Sequence, residues 1–354
     1  MSERMHIVQK SFAGLVVFLV SGASASAMQY QALDYSYAGN YGTVVAGMSG
    51  GHAGGYSRYD FYVIDHQKRY RFHAIYWPDA NAAPVELNPF NSPYSQVSAV
   101  SGNRQVGTAS VLINGTYYAR AILWRGTAKS ARDITMTGYD NSSASGLHGS
   151  QVVGQANGNA TGGYVHAVVW DLKNSSIADL NGSDHQESGA VATNGTQQVG
   201  WATDPSGADD HAMLWSGTHD SQVDLHPAKF SLSFATAIDG QSQVGIGETL
   251  SAAHALLWHG SAASAVDLNP AGYADSYATA VSGNKQVGYA TKSDFKYHAM
   301  VWSGKAAKFV DLQAFLPSSF TQSYATSIDA SGNIGGYATE VDGTPHAIVW
   351  QPLK

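Results

Sequence analysis

The alternation of hydrophobic and polar positions along this chain has a strand period in segment after segment, and no window carries a capped helical period. Residues 276–312 show it most clearly, in SYATAV (276–281), QVGYAT (286–291), HAMVW (298–302) and KFVDL (308–312). Runs of five or six residues rich in Val, Tyr and Trp are strands of ordinary length. Between them lie Ser-Gly-Asn-Lys at 282–285, Ser-Asp-Phe-Lys at 293–296 and Ser-Gly-Lys at 303–305, all turn formers. The unit predicts a four-stranded antiparallel meander.

The unit recurs. The pentapeptide His-Ala-x-x-Trp places His73 with Trp77, His166 with Trp170, His211 with Trp215, His254 with Trp258, His298 with Trp302 and His346 with Trp350. A seventh copy has Arg120 in place of His, with Trp124 retained. Successive Trp residues stand 43 to 48 residues apart. A QVG-like segment precedes the Trp (105–107, 151–154, 198–200, 243–245, 286–288 and 333–335), and a Val-Asp-Leu-like one follows it (85–87, 132–134, 178–180, 223–225, 266–268 and 310–312). Four strands repeated every 40–50 residues or so are the signature of a propeller blade, whose faces are buried only by neighbouring blades. The expected fold is all-β, a seven-bladed β-propeller of four-stranded antiparallel blades. The last copy ends four residues after Trp350 and lacks its fourth strand, whereas YQALDY at 30–35 resembles the missing element. Closure by an N-terminal strand that completes the last blade is therefore expected, because it removes an open sheet edge.

Residues 1–27 read as a signal peptide of bacterial type. Arg4 and Lys10 precede the apolar run from Phe12 to Val20, and small residues end in Ala25-Ser26-Ala27. That run is too short to span a bilayer. The expected organisation is a leader over 1–27 and a single propeller domain over 28–354, secreted or periplasmic, monomeric and without a membrane span.

Composition narrows the chemistry. Hydrophobic residues make up 44% and charged residues 13%, which suits a packed core and excludes a disordered chain. Cys is absent, so no disulfide framework or thiolate metal site exists. The net charge is −7 and the cations are scattered along the chain, so nucleic acid is not an expected partner. No metal or cofactor is expected, although Asp209 and Asp210 beside His211 form a minor candidate for a cation.

With its seven His-Ala-x-x-Trp copies and their QVG and VDL companions, the chain resembles the extracellular HAF-repeat family, named for a His-Ala-Phe-like core. The resemblance covers essentially residues 40–354, with an aliphatic residue or Met where the family name has Phe. It implies a secreted repeat protein and no particular chemistry.

The repeated residues read as structural. A His present in six blades radiates from one axis, whereas an active site needs converging groups. Asp179, Asp224, Asp267 and Asp311 are the expected hydrogen-bond partners of these histidines. Function is expected where the repeat is broken. Blade one carries a long second-to-third connection over about residues 48–70, dense in cations and aromatics. Its candidate ligand-binding residues are Arg58, Tyr59, Tyr62, His66, Arg69 and Arg71, joined by Tyr94, Tyr139, Phe230, Tyr273 and Phe320 from the blade connections. Two readings compete. One is a binding or scaffold module for an extracellular glycan or surface ligand, with aromatic faces stacking on sugars. The other is a lyase or hydrolase acting on an acidic polysaccharide, with arginines neutralising a carboxylate while His66 or a Tyr takes a proton.

Overall fold

The computed structural model describes residues 16–18, 29–37, 40–64, 67–79 and 82–353, apart from the side chains of 16–18, 61–64 and 67–69. Each repeat folds into a four-stranded antiparallel sheet whose strands pair in chain order. Blade one comprises Thr43–Ser49, His52–Ile64, Gln67–Trp77 and Val85–Glu86. Blade six comprises Asp275–Ser282, Lys285–Thr291, Tyr297–Trp302 and Phe309–Asp311. The first strand of every blade touches the first strand of the next, and that of blade seven touches that of blade one. Seven sheets thus close a ring with their first strands innermost, as the repeat predicts. The meander puts the second-to-third turns and the blade connections on one face, here called upper. The first-to-second and third-to-fourth turns lie on the lower face.

Blade seven takes its outer strand from the other end of the chain. Tyr30–Asp34 pairs antiparallel with Pro345–Pro352, Ala32 opposite Trp350. Outside it, Val16–Phe18 adds a short fifth strand, with Val17 opposite Leu33. The remainder of the expected leader, residues 1–15 and 19–27, lies outside the described residues.

Two features of the repeat explain its sequence. Each first strand bulges at an equivalent position, occupied by Ala46, Ser98, Ser145, Val191, Thr236, Thr279 or Thr326, and that of blade seven bulges again at Thr321. The bulge drives a first-strand carbonyl toward the second-strand glycine. A Cβ at Gly107 would stand 2.0 Å from the Gln96 oxygen, and at Gly288 1.9 Å from that of Tyr277, so only Gly fits. The core lies between blades. Val244, Ala255 and Leu257 of blade five enclose Trp302 with Met300 and Ala290 of blade six, and Trp258 packs likewise against Leu214 and Val199 of blade four. Blades are also tied by hydrogen bonds, because a buried Ser near the start of each of six first strands accepts the N–H of the motif Ala in the preceding blade, which follows His in five cases and Arg120 in one. Ser276 Oγ to Ala255 N, at 2.9 Å, is one example.

The long connection expected over 48–70 is corrected to a hairpin. The second and third strands of blade one continue pairing through Val63 opposite Lys68 to Ile64 opposite Gln67. Blade two is extended in the same way and turns at Asn114-Gly115, whose φ angles of 50° and 84° suit the mirror-image hairpin turn.

Candidate functional site on the upper face

The third strand starts, and the fourth strand ends, at the upper face. The motif His therefore meets the acid of the fourth strand there, in six of the seven blades. His166, His211, His254 and His298 place Nδ1 at 2.7, 2.9, 2.8 and 2.7 Å from Asp179, Asp224, Asp267 and Asp311. These four Asp partners are the ones expected from the sequence. His73 pairs with Glu86, and His346 reaches Asp34 of the N-terminal strand at 3.2 Å. Arg120 fills the seventh place, its Nε 2.8 Å from Asp133 and its Nη1 donating to the Asp140 carbonyl at 2.9 Å. The pairs are partly exposed rather than deep in the core, with 16% of the His166 side chain and 27% of that of His254 accessible.

The aromatics of the blade connections mostly cover these pairs. Phe230 is buried, edge-on to His254 at 6.0 Å, and Phe320 is buried against His346 at 5.2 Å. Tyr139 packs on the core between blades two and three. Tyr273 stands edge-on to Phe309 at 5.7 Å with Lys292 Nζ 5.0 Å over its ring. Tyr59 stacks on His73 at 3.6 Å. Arg71 lies 3.9 Å from Asp60. Of the expected residues, Tyr94 and Arg58 join a different assembly. His66 lies outside the described residues, as do the side chains of Tyr62 and Arg69.

That assembly is a belt of tyrosines on the inner strands near the upper rim. Tyr277 stacks on Tyr289 across blade six (4.8 Å between ring centres), and Tyr324 stacks on Tyr337 across blade seven (4.6 Å). The two pairs join through Tyr289 and Tyr324, 5.0 Å apart, and Tyr297 touches Tyr277, Tyr289 and Tyr324 at 5.5 to 6.2 Å. Tyr56, 5.1 Å from Phe72, continues the belt into blade one, and Phe72 meets Tyr94 of blade two at 5.6 Å. The Arg58 guanidinium lies 4.9 Å above the Tyr70 ring. Gln96 accepts from the Tyr94 hydroxyl at 2.8 Å, and Gln322 accepts from that of Tyr324 at 3.2 Å.

Burial raises the hydroxyl pKa of Tyr94, and that of Tyr324 to about 12. Tyr289, Tyr277 and Tyr337 are raised by burial and by neighbouring tyrosines, and Tyr56 by burial that the Arg58 charge only partly offsets. All are neutral donors near pH 7.

Apart from Tyr94 and Arg58, the belt is absent from the residues expected from the sequence, yet its signal is legible. Ser-Tyr-Ala-Thr recurs at 276–279 and 323–326, and Gly-Tyr-Ala-Thr at 288–291 and 336–339, in strands that otherwise read as core. The cation candidate at 209–211 does not form. Asp204 instead closes that loop by accepting from Ser206 Oγ and Ala208 N, and no group of three metal-ligating side chains occurs among the described residues.

No family model and no curated protein matches the chain. Among solved structures it is similar to a puromycin hydrolase, with a TM-score of 0.58 at 13% identity over 94% of this chain and 55% of that one. It is also similar to the β-propeller domain of the trilobed protease from Pyrococcus furiosus, with a TM-score of 0.54 at 8% identity over 87% of this chain and 95% of that one. The acylaminoacyl peptidase of Pyrococcus horikoshii is matched with a TM-score of 0.54 at 10% identity over 88% of this chain and 52% of the peptidase. The chain spans 62% of another similar structure, TolB from Acinetobacter baumannii, and about half of the hydrolase and peptidase chains. These likenesses establish the fold: the chain is a seven-bladed β-propeller.

Proposed function

We propose that this protein is an exported binding module that holds a carbohydrate against the tyrosine belt of its upper face. The observation that carries the reading is the asymmetry of the belt. Cross-strand pairs at the same place read Tyr277 with Tyr289 and Tyr324 with Tyr337, but Ser143 with Gln155 in blade three and Gly189 with Trp201 in blade four. Blade five has Phe234 opposite Ile246, 6.4 Å from Trp201, so aromatics as such occur on both sides of the ring; ring closure makes the same demand of every blade, however, and does not account for paired tyrosines confined to the adjacent blades six and seven. Partly buried tyrosines offer flat apolar faces with hydroxyl donors at their edges, which suits sugar rings. Their raised pKa values make them donors and poor proton acceptors, which favours binding over lyase-type proton abstraction. Membership of the HAF-repeat family and export by the N-terminal leader belong to the same proposal, supported by the repeat motif and the leader pattern.

The test is a glycan array with the mature protein, run beside an assay for unsaturated uronates released from acidic polysaccharides. Binding without turnover, weakened about tenfold in Tyr297→Ala at unchanged melting temperature, is the expected result, tenfold being about 1.4 kcal/mol. Turnover, or array binding indifferent to Tyr297→Ala and Tyr324→Ala, overturns it.

A further inference from the structure

On the lower face, between blades two and three, the fold gathers cations that the sequence keeps apart. A groove of about 440 Å³ is lined by Arg104, Arg125, Arg132 and Lys173, with Leu123, Leu172, Gly149 and Ser150 completing its wall. Arg104 comes from the first-to-second turn of blade two, and Arg125 and Arg132 from the two ends of its third-to-fourth turn. Lys173 comes from the corresponding turn of blade three. No carboxylate lines the groove. Two acids line an adjoining depression that shares Arg132 and Leu172 with the groove, and both are engaged: Asp133 holds Arg120, and Asp171 accepts from the Lys173 backbone N–H and from Asn174 Nδ2.

Two further observations set the groove apart. The chain as a whole is acidic, with 26 Asp and Glu against 19 Lys and Arg, yet four cations converge on this one groove. Arg120, Arg71 and Lys229 each face an Asp, whereas the four groove cations form no ion pair among the described residues. Arg132 also breaks the repeat. Pairing places it opposite Leu123, and the same register position holds Val85, Ala178, Val223, Val266, Val310 and Leu33 in the other blades. Six blades use an aliphatic residue there, so the arginine serves no demand common to the blades. Like charges crowded around one groove repel one another, and an anion seated among them relieves that repulsion.

We infer that this groove binds the carboxylate or sulfate groups of an acidic polysaccharide. Arginine forks suit planar oxyanions, and the aliphatic floor of Leu123 and Leu172 suits the apolar face of a sugar ring. Nucleic acid fits less well. The groove lining holds no aromatic side chain on which a base would stack, and the acidic remainder of the molecule repels a backbone charged at every nucleotide. A polysaccharide carrying one charge per sugar or per disaccharide places its anions in the groove and fewer beyond it. The site lies on the face opposite the tyrosine belt and does not rest on the reading given for that face.

The experiment measures binding of the mature protein to polygalacturonate, dextran sulfate, uncharged dextran and a single-stranded oligodeoxynucleotide, each at two salt concentrations. Expected are salt-sensitive binding to one or both acidic polysaccharides, no binding to dextran, and a tenfold or larger loss in R125E/R132E. The two acidic probes distinguish carboxylate from sulfate recognition. R125A/K173A, which alters only exposed side chains, is expected to weaken binding about threefold and flatten its salt dependence. Lys305→Glu in blade six and Tyr297→Ala on the upper face are expected to leave this binding unchanged. Absence of binding to both acidic polysaccharides, retention in R125E/R132E and R125A/K173A, equal binding of dextran, or preference for the oligonucleotide each overturns the inference.

Discussion

Each His-to-acid pair of the repeat joins two strands at a half-exposed place, and its worth follows from that exposure. His254 and Lys229 both donate to Asp267. Burial works against ionisation of this carboxyl, but the hydrogen bonds outweigh it and hold the pKa below the usual range. Removing His254 leaves Asp267 with Lys229 and opens the edge of the Phe230 ring, so His254→Ala is expected to cost about 1–2 kcal/mol in a denaturant melt. A protein that melts unchanged but loses ligand binding would instead make the His a binding group. The pairs also differ with pH. At His346 the hydrogen bond to Asp34 raises the ring pKa over the opposing effect of burial. Its stabilisation is therefore complete below the ordinary value of about 6.5 and fades as pH rises through the higher folded value. At His73 burial outweighs the pull of Glu86 and lowers the pKa, so stability is withdrawn as pH falls below about 6.5. His346→Gln should thus lower the melting temperature more near pH 5.5 than near pH 8.5, and the opposite order would contradict the raised value.

At the level of the strand, the glycine of the QVG segment and the bulge beside it form one device. Gly288 accommodates the Tyr277 carbonyl, and the bulged Thr279 donates to Ala325 O of the next first strand at 2.8 Å, which fixes the spacing of adjacent blades. A methyl group at Gly288 meets backbone rather than a movable side chain. Gly288→Ala is accordingly expected to cost at least about 3 kcal/mol, the upper end of ordinary overpacking. Gly283→Ala, at a left-handed turn with φ of 55° and open space around it, should cost only about 1 kcal/mol. Chemical denaturation of the two variants checks the ordering. The extended hairpins of blades one and two show the limit of reading elements from sequence. Residues 48–70 are rich in Gly, charge and aromatics and read as a long connection, whereas backbone pairing carries the two strands on to Ile64 opposite Gln67.

The whole ring depends on a pairing between the ends of the chain, because Tyr30, Ala32 and Leu33 are buried and complete blade seven. Leu353 N donates to Gln29 O at 2.8 Å, which continues the pairing of the two strands past Tyr30 opposite Pro352. A chain starting at Tyr41 should lose cooperative melting and expose a sheet edge. A permutant starting at the same residue, with 29–37 fused after Leu353, should regain the parental melting temperature to within a few degrees. Failure of the permutant alone would mean that closure needs more than this strand. Blade number, strand order, the closing strand and four of the six partners of the repeated His were readable from the sequence, because local periodicity and turn chemistry set them and seven copies average out the exceptions; Glu86 and Asp34 as partners of His73 and His346 came only with the structure. The tyrosine belt and the cationic groove were not readable either. The tyrosines recur as a pattern in only two blades and the groove cations are spread over three turns, and only packing one blade against the next places Tyr289 on Tyr324, or Arg104 and Arg132 beside Lys173.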